Sequence, residues 1–104
     1  MKGDIYASEL KSPEEAKRHY KQVLNDFPNS VEIPTVYKHL ALLEASEKDY
    51  TSATENAQKA YEGYIKDGQK QEAFAALMFK AEVEDKNLKN YNSAVDTLKV
   101  AAEL

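Results

Sequence analysis

Apolar residues recur along most of the chain at the three- and four-residue intervals that place them on one face of an α-helix. The first such stretch lies before Pro28 and comprises Ala16, Tyr20, Val23, Leu24 and Phe27. The same spacing continues in four later stretches, which span residues 31–48, 50–66, 69–86 and 91–103. Period-2 alternation, which would indicate strands, is nowhere sustained beyond a few residues. The pattern predicts an all-α protein built from amphipathic helices.

Local start and stop signals separate the first two of these predicted helices. Ser12 can cap a helix that has Pro13 at its first position, and Glu15 completes a capping box. Pro28 then ends that helix. We expect Asn29 or Ser30 to cap the next helix, which starts at Val31 and must hold Pro34 in its first turn.

The later boundaries follow the same logic. Asp49 and Asn90 each precede a helical stretch and can cap it, and Gly68 can adopt the left-handed conformation that ends a helix. Gly63 lies inside a predicted helix, where it destabilises the helix by about 1 kcal/mol relative to alanine. Two interpretations are open for it: a tolerated surface glycine, which we favour, or close approach of a neighbouring helix.

One phrase is repeated three times. "KSPEEAKRHYKQVL", "KDYTSATENAQKAY" and "KNYNSAVDTLKVAA" align so that Ala16, Ala53 and Ala94 coincide, at intervals of 37 and 41 residues. A period in this range is typical of a helical solenoid, whose paired helices stack unit upon unit. We therefore expect a single domain over residues 1–104 with six helices in three helix-turn-helix repeats. The predicted repeats span residues 1–30, 31–68 and 69–104, and the first ten residues form a shortened first helix.

The repeated residues resemble those of the tetratricopeptide repeat (TPR) family over nearly the whole chain. Alanines occur where paired helices of that family touch, because small side chains allow close approach. The matching positions are Gly3, Tyr6, Ala16, Tyr20 and Pro28 in the first unit, Tyr37, Leu40, Ala41, Ala53, Ala57 and Ala60 in the second, and Leu77, Ala81, Ala94, Leu98 and Ala101 in the third. The resemblance implies a right-handed α-α superhelix. The second unit lacks the terminal proline, and both intervals exceed the family's 34 residues.

The resemblance also implies a concave groove lined by the first helix of each unit. In the first unit, only Asp4, Ala7 and Ser8 remain for such a groove. The groove positions in the other two units are Thr35, Lys38, His39, Leu42, Ser46, Ala75, Met78, Phe79, Glu82 and Lys86. Apolar residues at its centre could anchor a peptide, with charged residues orienting it. Receptors of this family that bind chaperone tails use a clamp of basic and amide residues, whereas the corresponding positions here hold Asp4, His39, Ala75 and Phe79. We expect no high-affinity binding of such tails.

Composition narrows the classes of partner. The net charge is −4 and the sequence pI is about 5.2, which disfavours nucleic acid and anionic membranes because both need a basic face. The chain has no cysteine, so disulfides and thiolate sites are excluded. No apolar run is long enough to cross a membrane, and no signal peptide is recognisable. We expect a soluble protein, with the cytoplasm slightly favoured, that belongs to a longer parent chain.

Residues with catalytic potential lack a motif that would unite them. His19 lies among basic residues and is expected to be solvated, while His39 lies beside Lys38 and outside any nucleophile motif. Glu82, Glu84 and Asp85 are expected to form a solvated face without a metal or cofactor. The tyrosines at positions 20, 37, 50, 61 and 91 are expected to serve packing.

These expectations favour a non-catalytic scaffold that binds a peptide or partner protein in the concave groove. Two alternatives remain: a regulatory domain that senses a small peptide ligand, and self-assembly into a homodimer through the uncovered ends of the solenoid. An enzyme is not expected, and no cofactor is predicted.

Overall fold

The computed structural model describes residues 13–104, which form five α-helices joined by short turns. The helices are α1 (Pro13–Asp26), α2 (Ile33–Ser46), α3 (Tyr50–Lys66), α4 (Lys70–Lys86) and α5 (Tyr91–Ala102). No strand occurs in this part of the chain, and the predicted all-α class is confirmed. The predicted helix within the first ten residues and the Ser12 cap lie outside the described residues.

Two of the predicted caps form as expected. The Asp49 side chain accepts a hydrogen bond from the backbone N–H of Ser52 at 3.4 Å, and Asn90 accepts one from Ser93 at 3.3 Å. Each bond satisfies a backbone donor that has no partner within its own helix. Gly68 has a φ of +77°, which confirms the predicted left-handed end of α3.

The start of α2 differs from its prediction. The helix begins at Ile33 rather than Val31, and its N-cap residue is Glu32, which makes no side-chain cap hydrogen bond. The expected cap at Asn29 or Ser30 is therefore wrong. Pro34 is compatible with either start, because a proline is tolerated anywhere in the first helical turn, and in the structure it lies at the beginning of the helix. Ser30 still stabilises the turn before α2, since its hydroxyl accepts a hydrogen bond from the backbone N–H of Glu32 at 3.2 Å.

The turns before α3 and α5 contain lysines in the left-handed region. The φ angles are +67° at Lys48 and +56° at Lys89. Like Gly68, each of these lysines immediately precedes the N-cap residue of the next helix. At Lys48 the turn is closed by a 2.8 Å hydrogen bond from the N–H of Asp49 to the carbonyl of Glu44. This geometry strains a residue that carries a Cβ by about 1–2 kcal/mol.

Lys48→Gly is expected to raise the free energy of unfolding by about 0.5–1 kcal/mol, because glycine adopts the left-handed conformation without that strain. The gain is smaller than the strain because glycine also makes the unfolded chain more flexible. Urea denaturation measures the change. Lys48→Ala is the matched control: it removes the same charge but keeps Cβ, so it should give no gain. Equal stabilisation by both variants would contradict the account.

Each helix packs mainly against the helices that precede and follow it in the chain. The interfaces are built largely from alanine. The three alanines of the repeated phrase, Ala16, Ala53 and Ala94, are all buried, as are Ala41 and Ala81 on the preceding helices. Small side chains let the helix axes approach closely, so the repetition reflects helix packing.

Two buried glutamates give the α2–α3 and α4–α5 pairs the same internal construction. Glu44 and Glu84 are each 6% exposed. Glu44 accepts a hydrogen bond from the Asn56 amide at 2.6 Å, and Glu84 accepts one from the Thr97 hydroxyl at 2.7 Å. Both donors lie seven residues after the N-cap of the following helix. The expectation that Glu84 belongs to a solvated acidic face is therefore wrong, because its carboxylate joins α4 to α5.

Gly63 lies where the first turn of α2 crosses α3. A Cβ built on Gly63 would lie 2.6 Å from Cγ of Pro34, well inside van der Waals contact. The favoured interpretation of a surface glycine is thus wrong, and close approach of a neighbouring helix is the one observed. The next residue along α3 is the buried Tyr64, whose hydroxyl lies 2.9 Å from the hydroxyl of Thr35. Burial raises the pKa of Tyr64 above its ordinary value, and the hydrogen bond to Thr35 acts in the opposite direction.

An ion pair joins α1 to the end of α2. Lys17 Nζ lies 2.9 Å from Glu47 Oε1, and both side chains are partly shielded from solvent. The hydrogen bond to Glu47 raises the pKa of Lys17. On α1 as well, the Tyr20 ring stacks on His39 of α2 with centroids 5.6 Å apart. These two contacts orient α1 against α2.

Candidate functional site

A narrow crevice separates α2 from α4. Its rim consists of four of the residues that the sequence predicts for the groove, namely Lys38, Leu42, Ala75 and Phe79. Its floor is formed by small residues, which include Ala57 and Ala60 of α3. The enclosed volume is about 40 Å³, which is too small for a side chain the size of leucine. A ligand at this face would therefore lie across the rim rather than enter the crevice.

The rim carries side chains that could anchor a ligand. Leu42 is 45% exposed and Met78, further round α4, is 41% exposed. Phe79 is half-buried between them. Lys38 is exposed at one side of this surface. At the other side, Nζ of Lys86 lies 3.5 Å from Oε2 of Glu82, and the two residues form an exposed ion pair one helical turn apart. The surface thus combines apolar anchors with charges of both signs.

A second and wider depression lies between α4 and α5. Its volume is about 700 Å³, and its α4 side includes four predicted groove residues: Met78, Phe79, Glu82 and Lys86. Its α5 side consists of residues that were not predicted to bind anything, chiefly Tyr91, Val95 and Leu98. Phe79 is shared by both depressions.

The remaining three predicted groove residues lie elsewhere. Thr35 contacts Tyr64 and borders a separate polar depression near the α3–α4 turn. The imidazole of His39 stacks on Tyr20 of α1. The hydroxyl of Ser46 donates a hydrogen bond to the carbonyl of Leu43 at the end of α2. The predicted groove positions in the first unit, Asp4, Ala7 and Ser8, lie outside the described residues.

The α5 residues of the wider depression carry a signal in the sequence. Tyr91, Val95 and Leu98 follow one another at intervals of four and three, which marks a single helical face. The role expected for Tyr91 is packing, yet its side chain is 59% exposed. Its counterpart Tyr50 on α3 is less exposed. The helical spacing therefore marks these residues as one face in the sequence, and only their exposure in the structure shows that the face is open.

Neither a metal centre nor a membrane span occurs in the described part of the chain. Within residues 13–104 there is no group of three or more His, Cys, Asp or Glu side chains placed to hold a metal ion. None of the described helices is long and apolar enough to cross a membrane.

Comparisons of the chain with known proteins found no matching family model, no matching curated protein and no matching solved structure.

Proposed function

We propose that this chain is a non-catalytic protein-interaction module that binds a peptide or partner protein across its first-helix face. This face comprises the outer surfaces of α2 and α4 around Lys38, Leu42, Met78 and Phe79. The observation that carries the proposal is the exposure of Leu42 and Met78 on neighbouring helices, with Phe79 between them. Exposed apolar side chains gathered on one face, with charges at the edges, are typical of sites that bind proteins.

The proposal includes the finer architecture. We infer a right-handed α-α superhelix of the TPR type, in which α1 is the second helix of the first unit and α2–α3 and α4–α5 are complete units. Support comes from the shared construction of the two complete pairs, each with a left-handed lysine, an Asp or Asn cap and a buried glutamate. Sequential packing of the helices agrees with a solenoid.

The chemistry of the face defines what it would bind. When a leucine-sized side chain of the ligand packs against a half-exposed apolar side chain of this face, both are removed from water. Each such contact contributes on the order of 1–2 kcal/mol to the free energy of binding. Met78 has an unbranched side chain that adapts to ligands of different shape. Lys38 offers a positive charge to an acidic group of the ligand. We therefore expect a short peptide segment with two or three apolar anchors and an acidic residue at one end.

A random peptide library displayed on phage tests the proposal, because it makes no assumption about the identity of the partner. The immobilised chain should enrich peptides with the apolar and acidic pattern described above. For a selected peptide, Leu42→Glu is expected to raise Kd at least about tenfold, because it replaces an apolar anchor by a charge and sets that charge within reach of Lys38, one turn earlier on α2. Fluorescence anisotropy of the labelled synthetic peptide measures this Kd.

The matched control is Ile65→Glu. Ile65 is similarly exposed, at 37%, but it lies on α3 and does not line the crevice. This variant should bind the peptide with unchanged Kd. Failure to enrich any peptide, or equal weakening by both variants, would count against the proposed function.

A further inference from the structure

Met78 is the one sulfur-containing side chain among residues 13–104. The full sequence contains two methionines, Met1 and Met78, and no cysteine. Met78 lies in the middle of α4 and is 41% exposed. Oxidation of a thioether follows its exposure, and no thiol in this chain competes for the oxidant. A mild oxidant that reaches the folded helices therefore acts at Met78.

The exposure of Met78 belongs to its place in the repeated helix pair. Met78 lies six residues before the buried Glu84, and Lys38 lies six residues before the buried Glu44. Lys38 is exposed although α4 lies beside it across the crevice. A helix packed alongside thus leaves this position open. Solvent access at Met78 is therefore a feature of the first-helix face in both complete pairs.

Apolar side chains adjoin Met78 on the outer surface of α4. Phe74 lies one turn earlier and is 45% exposed. Residues four apart on a helix are neighbours, so Phe74 and Met78 form one continuous apolar strip. Phe79, the next residue in the chain, is half-buried at the rim of the crevice. A peptide bound across this face would remove the thioether of Met78 from water together with these rings.

Oxidation of Met78 has different consequences in the free chain and in a complex. The sulfoxide is polar where the thioether is apolar. In the free chain the new S=O group accepts hydrogen bonds from water, so the fold loses no contact. Against an apolar side chain of a peptide, the same group is buried without a donor, which is unfavourable. A chemical change shifts a binding equilibrium only through such a difference between the two states.

We propose that Met78 is a reversible oxidation site that switches off peptide binding at the first-helix face, an inference that rests on the proposed function. A lone pair of the sulfur attacks one oxygen of hydrogen peroxide, so the S–O bond forms as the O–O bond breaks. Sulfur loses two electrons, peroxide gains them, and the second oxygen leaves as water. Methionine sulfoxide reductases reverse the step with electrons from a dithiol, which becomes a disulfide while the sulfoxide oxygen leaves as water.

A bound peptide should in turn protect Met78 from oxidation. Because the peptide shields the thioether, saturation with peptide is expected to slow sulfoxide formation at Met78 at least about fivefold. Residues 71–80 form one tryptic fragment, which contains Met78 and no other methionine. Mass spectrometry of this fragment over time measures the rate. An equal rate with and without peptide would show that Met78 is not covered and would overturn the proposal.

The switch itself is tested by fluorescence anisotropy with a selected peptide that lacks methionine and cysteine. Full oxidation of the chain by dilute hydrogen peroxide should raise Kd at least about fivefold. Treatment with methionine sulfoxide reductases A and B should restore Kd to within about twofold; both are needed because oxidation gives two sulfoxide epimers. Circular dichroism should show the same helix content before and after oxidation.

Met78→Leu is the matched control, because it removes the sulfur at this position and retains Met1. Whatever Kd this variant has, peroxide should leave it unchanged within about twofold. A rise as large as that of the parent would place the effect at another residue and overturn the proposal, as would loss of helix content on oxidation.

Two further outcomes separate this inference from the function on which it rests. An untreated chain that binds no selected peptide would overturn the proposed function, and the switch with it. Binding by the untreated chain with an unchanged Kd after full oxidation of Met78 would overturn the switch alone.

Discussion

Ala53→Leu is expected to lower the free energy of unfolding by about 2–3 kcal/mol. Ala53 is 0% exposed where α3 packs on α2, and its counterparts Ala16 and Ala94 are also buried. The additional carbon atoms of leucine cannot be accommodated there unless the two helices move apart. Stability of small domains is only about 5–15 kcal/mol, so this loss would be a large part of the whole. Urea denaturation followed by far-UV circular dichroism measures it.

The matched control for this substitution is Ala75→Leu. Ala75 is an exposed alanine within α4, so the same atoms are added where solvent leaves room for them. Its effect on unfolding should stay within about 0.5 kcal/mol. If Ala53→Leu proves no more destabilising than Ala75→Leu, the repeated alanines do not set the distance between helices and the packing account fails.

Gly63→Ala is expected to destabilise the protein by about 1–2 kcal/mol, although alanine is the better helix former. In an open helix this change stabilises by about 1 kcal/mol, so the sign of the effect is diagnostic. The new Cβ would lie 2.6 Å from Cγ and 3.1 Å from Cβ of Pro34. A proline ring cannot rotate away, so the first turn of α2 has to shift. Thermal and urea denaturation of the variant give the sign directly.

A double-mutant cycle assigns that effect to the contact with Pro34. In a Pro34→Ala background the ring atom nearest to residue 63 is gone, so Gly63→Ala should become neutral or stabilising. The coupling between the two substitutions should therefore reach about 1–2 kcal/mol. Additive effects, or a stabilising Gly63→Ala in the parent chain, would show that α2 and α3 do not approach closely here.

The sequence predicts most helix boundaries because their signals are local. Asp49 and Asn90 cap the helices that follow them, and Gly68 ends α3, as expected from each residue and its immediate neighbours. The buried alanines follow from the repeat itself. The predicted start of α2 is wrong because Pro34 allows a helix to begin at several nearby residues, and only the packed structure selects one.

Contacts between distant segments are not predictable in the same way. The sequence shows that α3 has no side chain at Gly63, but it does not show which residue occupies the space. That residue is Pro34, which lies 29 positions earlier in the chain. Glu84 occurs in an acidic run, which is why the sequence assigns it to solvent. Its counterpart Glu44 falls within the apolar periodicity of α2, so comparison of the two repeats could have revealed that both glutamates are buried.

The candidate site was predictable as a set of helix faces but not as a shape. Seven of the ten groove residues that the family resemblance implies lie around the two depressions. Residues of three helices, α2, α3 and α4, line the narrow crevice, whereas residues of α4 and α5 alone line the wide depression, and this arrangement depends on contacts between distant segments. His39 does not join the set because a ring of α1, Tyr20, stacks on it.

The proposed binding role of the α2–α4 face is tested most directly by chemical-shift mapping of the labelled chain with a selected peptide. The account predicts that the largest backbone amide shifts occur at Lys38, Leu42, Ala75 and Phe79, and that Ile65 on α3 is unaffected. Shifts that centre on α3 or α1, or a spectrum that the peptide leaves unchanged, would contradict it.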